Sequence, residues 1–251
     1  MNLFDINGKK AVVTGGAGGL GFGMADALVQ NGAETVIIDI HPDLSDRVAN
    51  LCRIGTAYGI TGDISSSAGR RSAFNAAMEK LGQRVDIFIN CAGIQRRSSA
   101  MDFSMEDWQK VLDINLTAVF EFCQLAARNM LSNGGGKIIN VASMLSFFGG
   151  LNVPAYTASK GGVAQLTKAL ANEWAAKNIH VNAIAPGYMA TEMNSALLQN
   201  AERNRKILDR IPAGRWGTAE DIQGVILFLA SKASDYIHGA VIPVDGGYLG
   251  C

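Results

Sequence analysis

Short β-rich runs alternate with longer amphipathic stretches along all 251 residues of the sequence. This alternation is typical of repeated strand–helix units, which assemble into a parallel sheet covered by helices. Several of the runs are apolar at consecutive positions, as expected for strands that are buried on both faces. Seven strands are predicted, at residues 11–14, 35–39, 57–60, 86–90, 137–142, 180–185 and 240–244.

Four of the intervening stretches repeat apolar residues with the period of a helix, at residues 20–31, 105–130, 156–176 and 219–230. The pattern predicts an α/β fold with a doubly wound parallel sheet and helices on both faces. No low-complexity linker or internal repeat divides the chain, so a single domain over residues 1–251 is expected. The least regular stretch, residues 187–212, has mixed helical signals and is predicted to be a lid over the site.

The charge balance argues against nucleic acid and membrane partners. Lysine and arginine together number 22, as do aspartate and glutamate, so no broad positive field would hold an anionic backbone or lipid surface. Every apolar run is shorter than the ~20 residues of a membrane span, and residues 1–10 do not resemble a secretory signal. The four cysteines are scattered, without a CxxC pair or a cluster of metal-ligand spacing. A cytoplasmic protein that binds a small molecule, and no metal, is therefore expected.

The first predicted strand leads directly into a glycine-rich turn, Thr14 to Gly21, and then into a helix. In the dinucleotide-binding form of such a turn, Gly15 allows the tight bend, Gly19 lets backbone amides approach a pyrophosphate, and Gly21 lets helix and strand pack closely. The glycines alone also fit a flexible loop. They indicate a dinucleotide-binding turn because a strand comes before them and a helix comes after them. Together these features indicate a Rossmann-type cofactor site.

The acidic residue at the end of the second predicted strand indicates which dinucleotide binds. Asp39 lies twenty residues after Gly19, where a carboxylate can accept hydrogen bonds from an adenosine ribose. Its charge would repel the 2′-phosphate of NADP, and neither Gly18 nor Ile40 offers a basic group to bind that phosphate. NAD is therefore the predicted cofactor, and an aspartate that merely ends a strand at a turn is the alternative interpretation.

Two further strand ends would lie beside the same ligand. Asp63 follows the third predicted strand, and Asn90 to Gly93 follow the fourth. Ligands of an open parallel sheet collect outside the carboxyl ends of its strands, so these residues are candidates for cofactor contact. Each of them alone is also typical of an ordinary turn.

A serine, a tyrosine and a lysine follow the fifth predicted strand. Ser143 comes directly after this strand, and Tyr156 and Lys160 stand four positions apart in a helical pattern, which puts them on one face of the helix. A free phenol has a pKa of about 10, and a neighbouring ammonium favours the phenolate and lowers that pKa. Tyr156 is therefore predicted to be the catalytic acid and base, although an isolated pair with this spacing also fits a plain helix surface.

These motifs occur in the order found in the short-chain dehydrogenase/reductase family, which the chain resembles over essentially its whole length. The matching positions are TGxxxGxG from Thr14, Asp39, Asp63, NxAG from Asn90, Asn115, Ser143, YxxxK from Tyr156, and Pro186 with Gly187. The resemblance implies an NAD-dependent oxidoreductase that acts on an alcohol or a ketone, and a homotetramer paired through the helices at 105–130 and 156–176. By this resemblance the cofactor-binding residues are Gly15, Gly19, Leu20, Gly21, Asp39, Asp63, Ile64, Asn90, Gly93, Tyr156, Lys160, Gly187 and Thr191.

The resemblance also implies the catalytic roles. Tyr156 would deliver the proton to the carbonyl oxygen, and Ser143 would hydrogen-bond that oxygen. Lys160 would bind the nicotinamide ribose and tune Tyr156, while Asn115 would anchor a proton-relay water. Hydride would then pass directly between cofactor and carbon. The chain departs from the family pattern at Cys91, where a second asparagine is usual, and this departure puts the local loop packing in doubt.

Further segments are similar to the family members that act on keto sugar acids. These segments are GIQRR at 93–97, SMLSFFGG at 143–150, NVPAYTASK at 152–160, APGYMATEM at 185–193 and RIPAGRWG at 210–217. Arg96 and Arg97 follow a strand end beside the predicted nicotinamide pocket, so the guanidinium of one of them could bind a carboxylate through two hydrogen bonds. Together with Ser143 and Tyr156 they form the predicted substrate site, and two solvated loop arginines are the alternative interpretation.

Two other classes of protein compete with an oxidoreductase. A serine hydrolase would need a GxSxG elbow around Ser143, and the sequence there, VASML, has none. A non-catalytic regulator that senses a dinucleotide could keep the same fold, because a fold does not fix a function. Such a regulator needs only the cofactor end, so the presence of Ser143, Tyr156 and Lys160 favours an enzyme. Steroids, acyl thioesters and polyols stay open as substrates beside sugar acids.

Overall fold

A parallel sheet runs through the computed structural model, which describes residues 2–251. Its strands are β1 (Lys10–Thr14), β2 (Glu34–Asp39), β3 (Ala57–Thr61), β4 (Ile87–Asn90), β5 (Gly136–Val141), β6 (Ile179–Pro186) and β7 (Val241–Val244). They pair in the order β3-β2-β1-β4-β5-β6-β7, and every neighbouring pair is parallel. The predicted seven-stranded parallel sheet is confirmed, and each strand end lies within one residue of its predicted position.

Helices cover both faces of this sheet. They are α1 (Gly19–Gln30), α2 (Leu44–Leu51), α3 (Ser67–Lys80), α4 (Met105–Leu112), α5 (Ala118–Ser132), α6 (Pro154–Trp174), α7 (Ser195–Gln199), α8 (Ala201–Leu208) and α9 (Gln223–Ala230). The four predicted helices correspond to α1, α6, α9 and the pair α4 and α5. Of the remaining helices, α7 and α8 lie within 187–212, where the sequence has mixed helical signals, and α2 and α3 lie in gaps for which no helix bounds were predicted.

Two hydrophobic cores form because alternate side chains of each buried strand point to opposite faces of the sheet. On β1, Val12 faces the core covered by α3, α5 and α6, and Val13 faces the core covered by α1, α2 and α9. Phe88 of β4 packs between Phe74 and Phe122, with ring centroids 6.1 and 5.5 Å apart. Burial of both faces explains why the strands are almost continuously apolar in sequence.

The order of the strands reverses at β1. From β1 the chain moves outward through β2 to β3, and it then returns to β4 on the other side of β1. The loops that follow β1 and β4 therefore diverge, which opens a crevice at the carboxyl ends of the strands. Thr14 at the end of β1 pairs with Asn90 at the end of β4, so both predicted cofactor-binding loops begin at this crevice.

The helix predicted at 105–130 is interrupted by a π-helical turn. This turn, Asp113–Thr117, joins α4 to α5 without a loop, since the residues on either side of it are also helical. Turns of this kind inside a helix are frequent at functional sites. The turn contains Asn115, which is fully buried. The extra residue rotates the side chains that follow it, and the apolar period of the sequence does not reveal this rotation.

The segment at 187–212 contains α7 and α8 and follows the end of β6. It packs through Leu197 and Ile207 on a third hydrophobic cluster, which also includes Met144 and Tyr248. These contacts attach α7 and α8 to the turn that follows β5, while Met189, at the start of the segment, belongs to the core that also contains Val13. Among residues 2–251, no helix combines the length and the apolar character needed to cross a membrane.

Candidate active site

A cleft of about 360 Å³ lies at the carboxyl ends of the strands. It extends from the glycine turn after β1 to the start of α6. Most of the predicted site residues line this cleft: Gly15, Gly19, Leu20, Gly21, Asp39, Asp63, Ile64, Gly93, Ser143, Tyr156, Lys160, Gly187 and Thr191. Four predicted residues lie outside this lining, namely Asn90, Arg96, Arg97 and Asn115.

The glycine turn has the shape that a bound pyrophosphate requires. Gly15 has a φ of +68°, and a side chain there would overlap the backbone of Ala92. A side chain at Gly21 would overlap the carbonyl oxygen of Gly15, so α1 can approach the turn only without one. No side chain of the described residues caps the first amides of α1, which begins at Gly19. These amides are available to an anion, and the helix dipole favours an anion there.

Asp39, at the end of β2, is held by three backbone amides. Its Oδ2 accepts a hydrogen bond from the amide of Ala17 at 2.9 Å. Its Oδ1 accepts hydrogen bonds from the amides of Ile40 at 2.7 Å and His41 at 3.0 Å. The carboxylate is therefore fixed in position, and its side chain lines the cleft. This arrangement suits an acceptor for the hydroxyl groups of a ribose.

Local hydrogen bonds fix the loops after β3 and β4. The amide and hydroxyl of Ser65 donate to the carboxylate of Asp63 at 2.8 and 2.9 Å, and these bonds lower the pKa of Asp63. After β4, the Oγ1 of Thr14 accepts hydrogen bonds from the amides of Cys91 at 3.2 Å and Ala92 at 3.3 Å. Because these bonds use backbone amides, a cysteine at position 91 does not alter how the loop is held.

The side chain of Asn90 points away from the cleft. Its amide nitrogen donates to the Oδ1 of Asn140 at 2.9 Å and approaches the Sγ of Cys123 at 3.4 Å. Asn140 in turn donates to the Oγ1 of Thr167 at 3.0 Å, which links β4, β5 and α6. The structure therefore gives the Asn90 side chain a role in packing, and the contact of this residue with the cofactor stays a prediction.

The end of β5 and the first turns of α6 bring together the three predicted catalytic side chains. Ser143 follows β5, and its Oγ accepts a hydrogen bond from the amide of Leu145 at 3.1 Å. Tyr156 and Lys160 lie one helical turn apart, with the Nζ of Lys160 5.7 Å from the centroid of the tyrosine ring. The same Nζ donates to the carbonyl oxygen of Val141 at 2.6 Å. The hydroxyl of Ser143 lies close enough to Tyr156 to favour its phenolate.

Burial controls the proton of Tyr156. It raises the pKa of the phenol to about 12, against the opposing effects of the Ser143 hydroxyl and the Arg97 charge. Burial therefore outweighs the groups that favour the phenolate, and the lowering of this pKa by Lys160 stays a prediction. Burial also lowers the pKa of Lys160 itself to about 8, so this side chain is still mostly an ammonium at neutral pH. A tyrosine whose pKa is about 12 holds its proton at neutral pH and can donate it.

Asn115 lies behind the wall of the cleft and holds that wall in place. Its Oδ1 accepts a hydrogen bond from the amide of Ile94 at 2.8 Å, and its Nδ2 donates to the carbonyl oxygen of Ile94 at 2.9 Å. The Nδ2 also donates to the Oγ of Ser159 on α6 at 3.3 Å. The side chain of Asn115, which lies in the π-helical turn, thus connects the loop after β4 to the helix that carries Tyr156.

The two predicted carboxylate-binding arginines differ in their surroundings. Arg96 is exposed, and its Nε lies 3.3 Å from the Oδ1 of Asp107 at the start of α4, outside the cleft. Arg97 forms no salt bridge with any residue in the 2–251 range. Arg97 is also exposed and, like Arg96, lies outside the lining of the cleft. The structure therefore leaves Arg97, and not Arg96, without a charged partner among the described residues.

Several residues of the cleft carry no motif in the sequence. Ile114 lines it beside the catalytic end, and Met189, Glu192 and Met193 line it after β6. Ile114 could have been found from its place next to Asn115. The other three lie in APGYMATEM at 185–193, a segment whose similarity to the keto-sugar-acid members could have marked them, although only Gly187 and Thr191 were assigned there.

A parallel sheet whose order reverses beside a glycine turn defines the Rossmann class of dinucleotide-binding folds. A family model described as enoyl-(acyl carrier protein) reductase matches residues 15–249. The chain belongs to the short-chain dehydrogenase/reductase family and is an oxidoreductase, as its motifs indicated.

Relatives match this chain from end to end. It is 49% identical to 2-dehydro-3-deoxy-D-gluconate 5-dehydrogenase of Bacillus subtilis, with 99% of this chain and 97% of that protein covered. A solved structure of a candidate 2-deoxy-D-gluconate 3-dehydrogenase from Agrobacterium tumefaciens with bound NADP is 46% identical, with a TM-score of 0.93 and 100% of both chains covered. A gluconate 5-dehydrogenase from Burkholderia cenocepacia in complex with NADP and tartrate is 36% identical, with a TM-score of 0.92 and 100% and 98% coverage.

Replacement of Gly21 by alanine is expected to weaken dinucleotide binding by about tenfold or more. The added methyl group would overlap the carbonyl oxygen of Gly15 and push α1 away from the turn, a change that costs roughly 1–3 kcal/mol. Fluorescence titration with a reduced nicotinamide dinucleotide measures the affinity. Gly224→Ala is the matched control, because a Cβ there meets nothing within 4 Å. Equal affinities in the two variants would contradict the assigned role of the turn.

Proposed function

We propose that this chain is an NAD(H)-dependent enzyme that interconverts a secondary alcohol and a ketone on a sugar acid. Its activity would be that of the 2-dehydro-3-deoxy-D-gluconate 5-dehydrogenases and 2-deoxy-D-gluconate 3-dehydrogenases. One observation carries this proposal: Ser143, Tyr156 and Lys160 meet at one end of a cleft whose other end holds Asp39. A dinucleotide sensor would need only the Asp39 end, so the presence of both ends favours catalysis.

Tyr156 and Ser143 act on the oxygen of the ketone. Tyr156 holds its proton at neutral pH and donates it to the carbonyl oxygen during reduction, while Ser143 holds that oxygen by a hydrogen bond. In the oxidation of the alcohol the same proton returns to Tyr156. Lys160 binds the ribose beside the nicotinamide, and Asn115 keeps the adjoining loop in place. The bound dinucleotide supplies or accepts the hydride.

Asp39 supports NAD as the cofactor. Its carboxylate would repel a 2′-phosphate and accept hydrogen bonds from a free ribose. Lys160 is the one lysine or arginine among the described residues that line the cleft, and it lies at the opposite end. The relatives from A. tumefaciens and B. cenocepacia were solved with NADP, so the preference of this chain rests on its own Asp39.

The Asp39→Ala variant tests this preference. Loss of the carboxylate should lower kcat/KM with NAD by about tenfold or more, because a charge-assisted hydrogen bond is lost, and should raise kcat/KM with NADP. Asp46→Ala, an exposed change of equal charge on α2, should leave the ratio of the two cofactors unchanged. Steady-state kinetics with both cofactors provide the comparison. Equal efficiency with NAD and NADP in the unmutated protein would overturn the choice of NAD.

An arginine in the loop after β4 supports an acidic substrate. Arg97 forms no salt bridge with any residue from 2 to 251, so its guanidinium is available to a carboxylate. In contrast, Arg96 pairs with Asp107, and Arg215 is held by Asp221 through two hydrogen bonds of 2.7 Å each. A carboxylate bound by Arg97 would hold the sugar at a fixed distance from the reacting oxygen. The names of the B. subtilis and A. tumefaciens relatives also support a sugar acid.

Gluconate 5-dehydrogenase activity is the second candidate, because the relative from B. cenocepacia that bears this name covers the whole chain. Its substrate is also an acid, so it would engage the same arginine. A polyol or an acyl thioester would bring no carboxylate to this position and would leave Arg97 without an ionic partner. The position of Arg97 therefore ranks these classes below the sugar acids.

Addition of NAD and 2-dehydro-3-deoxy-D-gluconate to the purified protein should produce NADH, which absorbance detects. Gluconate and a neutral polyol are the other substrates to be assayed.

Tyr156→Phe should lower turnover by a factor of about 10² or more while NADH affinity barely changes, because only the transferable proton is removed. Tyr236→Phe removes a hydroxyl from a fully exposed ring and should have no effect. Near-normal turnover in Tyr156→Phe would refute the role of Tyr156 as the catalytic acid. If the unmutated protein produces no NADH with any of the substrates, the dinucleotide sensor is favoured instead.

We also propose a homotetramer that forms through the outer faces of α4, α5 and α6. Large apolar side chains are exposed on or beside these helices, among them Met101 at 98%, Met105 at 73% and Phe120 at 40%. Exposed apolar clusters of this kind are typical of subunit contacts. Light scattering at micromolar concentration should give about four times the chain mass of 26.5 kDa, and a monomeric mass would refute the assembly.

The same proposal covers the remainder of the chain. Residues 1–251 would act as one domain in the cytoplasm, with residues 187–212 as a lid over the substrate. Thr191 and Met193 support the lid because they line the cleft, and a Cβ at Gly19 would lie 3.5 Å from Thr191. The four free cysteines within residues 2–251 suit a reducing compartment.

A further inference from the structure

A buried ion pair between α3 and α5 has no part in the activity proposed above. The Nε of Arg70 on α3 donates to the Oε2 of Glu121 on α5 at 2.6 Å. The two side chains are only 6% and 13% exposed, so both charges lie inside the protein. Because each charge loses solvation there, a buried ion pair adds little stability beyond that of apolar side chains of similar size. Stability alone therefore does not explain this pair.

Arg70 also holds the loop that follows β3. Its Nη1 donates to the carbonyl oxygen of Ile64 at 2.7 Å. Gly69, the preceding residue of α3, lies against the carbonyl oxygen of Asp63, which a Cβ at position 69 would overlap. The first turn of α3 therefore contacts both residues of the loop that line the cleft. Since β3 pairs with β2, this part of the lining lies at the Asp39 end.

Glu121 holds Arg70 in place from α5. Its carboxylate accepts hydrogen bonds from three side chains of α3, namely the Oγ of Ser67 at 2.6 Å, the Nε of Arg70 at 2.6 Å and the Nε of Arg71 at 3.1 Å. Burial by itself would raise the pKa of Glu121, but these hydrogen bonds outweigh it and keep that pKa below its ordinary value. Glu121 is therefore a carboxylate at neutral pH, and α3 moves along α5 only if these bonds break.

The same helical stretch holds the opposite wall of the cleft. Asn115, six positions before Glu121, fixes the loop after β4 through its two hydrogen bonds to Ile94. The π-helical turn that contains Asn115 continues into α5 without a loop. One continuous element thus carries Asn115 for the catalytic end of the cleft and Glu121 for the Asp39 end.

We propose that Arg70 and Glu121 are positioning residues for the dinucleotide: Arg70 holds the loop after β3 in the shape that receives the adenine, and Glu121 holds Arg70. This inference rests on the proposed function only for the dinucleotide, whatever the substrate. The amide of Ile64 forms no hydrogen bond within the described part of the chain, so it is available to a ligand. An amide donor next to the carboxylate of Asp63 matches the edge of adenine, where an acceptor nitrogen adjoins an amine.

The Arg70→Gln variant tests this role, because it removes the charge and shortens the side chain that reaches Ile64. The Kd of NADH, measured by fluorescence titration without substrate, should rise by about tenfold or more, because charge-assisted hydrogen bonds are lost. KM for NAD should rise likewise, while kcat at saturating NAD and KM for the sugar acid stay the same. The titration needs no turnover, so this inference and the proposed function can fail separately.

Arg71→Gln is the matched control. It makes the same change at the neighbouring arginine, which also donates to Glu121 but is 69% exposed and does not hydrogen-bond to Ile64. Its affinity for NADH should equal that of the unmutated protein. Equal NADH affinities in the Arg70 and Arg71 variants would overturn the inference.

ADP-ribose separates a change at the adenine wall from a general loosening of the cleft. It carries the adenosine without the nicotinamide, so its affinity for Arg70→Gln should fall by the same factor as that of NADH. An unchanged affinity for ADP-ribose, or a kcat that falls with the NADH affinity, would overturn the positioning role.

Glu121→Gln tests the second member of the pair and removes its charge at nearly constant size. The Kd of NADH should rise, and Glu173→Gln, the same change at an exposed position of α6, should leave it unchanged. If Glu121 acts through Arg70, the double variant Arg70→Gln with Glu121→Gln should bind NADH no more weakly than Arg70→Gln alone. Strictly multiplicative effects would overturn the pairing. If Arg70→Gln does not fold, equal NADH affinities in Glu121→Gln and Glu173→Gln would overturn the inference.

Discussion

Gly15 lies against Ala92 at the point where the strand order reverses, and the geometry of the whole cleft depends on this contact. A side chain at Gly15 would overlap the backbone of Ala92, so the turns after β1 and β4 can meet only through a glycine. Thr14 completes the junction by accepting hydrogen bonds from the amides of Cys91 and Ala92. Once these two turns are fixed, the ends of β2 and β5 fall on opposite sides of them. The acidic and the catalytic ends of the cleft are thereby set apart along one groove.

Burial acts on both members of the tyrosine–lysine pair, and it moves each toward its neutral form. The pKa of Tyr156 rises to about 12 and that of Lys160 falls to about 8, because the charged form of each loses solvation. At neutral pH the pair therefore consists of a protonated phenol beside a lysine that is still mostly an ammonium. Its catalytic usefulness lies in a phenol that keeps its proton until a carbonyl oxygen takes it.

Features that depend on the local sequence pattern could be predicted from the sequence. Features that depend on which strands pair, or on how deeply a side chain is buried, could not. Strand ends were predictable to one residue because strands buried on both faces are bounded by glycine, proline or charge. The orientation of the Asn90 side chain could not be predicted, because it depends on the register of β4 and β5, which places Asn140 opposite Asn90. Asn115 was assigned from a motif, but its two bonds to Ile94 follow from a π-helical turn that periodicity hides. The pKa of Tyr156 depends on burial depth, which spacing along a helix does not report.

The two ends of the cleft are attached to the fold in different ways, and this difference bears on specificity. The cofactor end is built from strand ends and backbone amides, whose positions follow from the sheet itself. The substrate end is attached through a separate cluster of side chains, in which Met144, Ile207, Trp216 and Tyr248 pack together. Exchange of side chains in that cluster would shift α8 against the catalytic serine without disturbing the two main cores. Sugar acids of different length could therefore be accommodated on this fold by changes in the cluster alone, while hydride transfer keeps its geometry at the edge of the sheet.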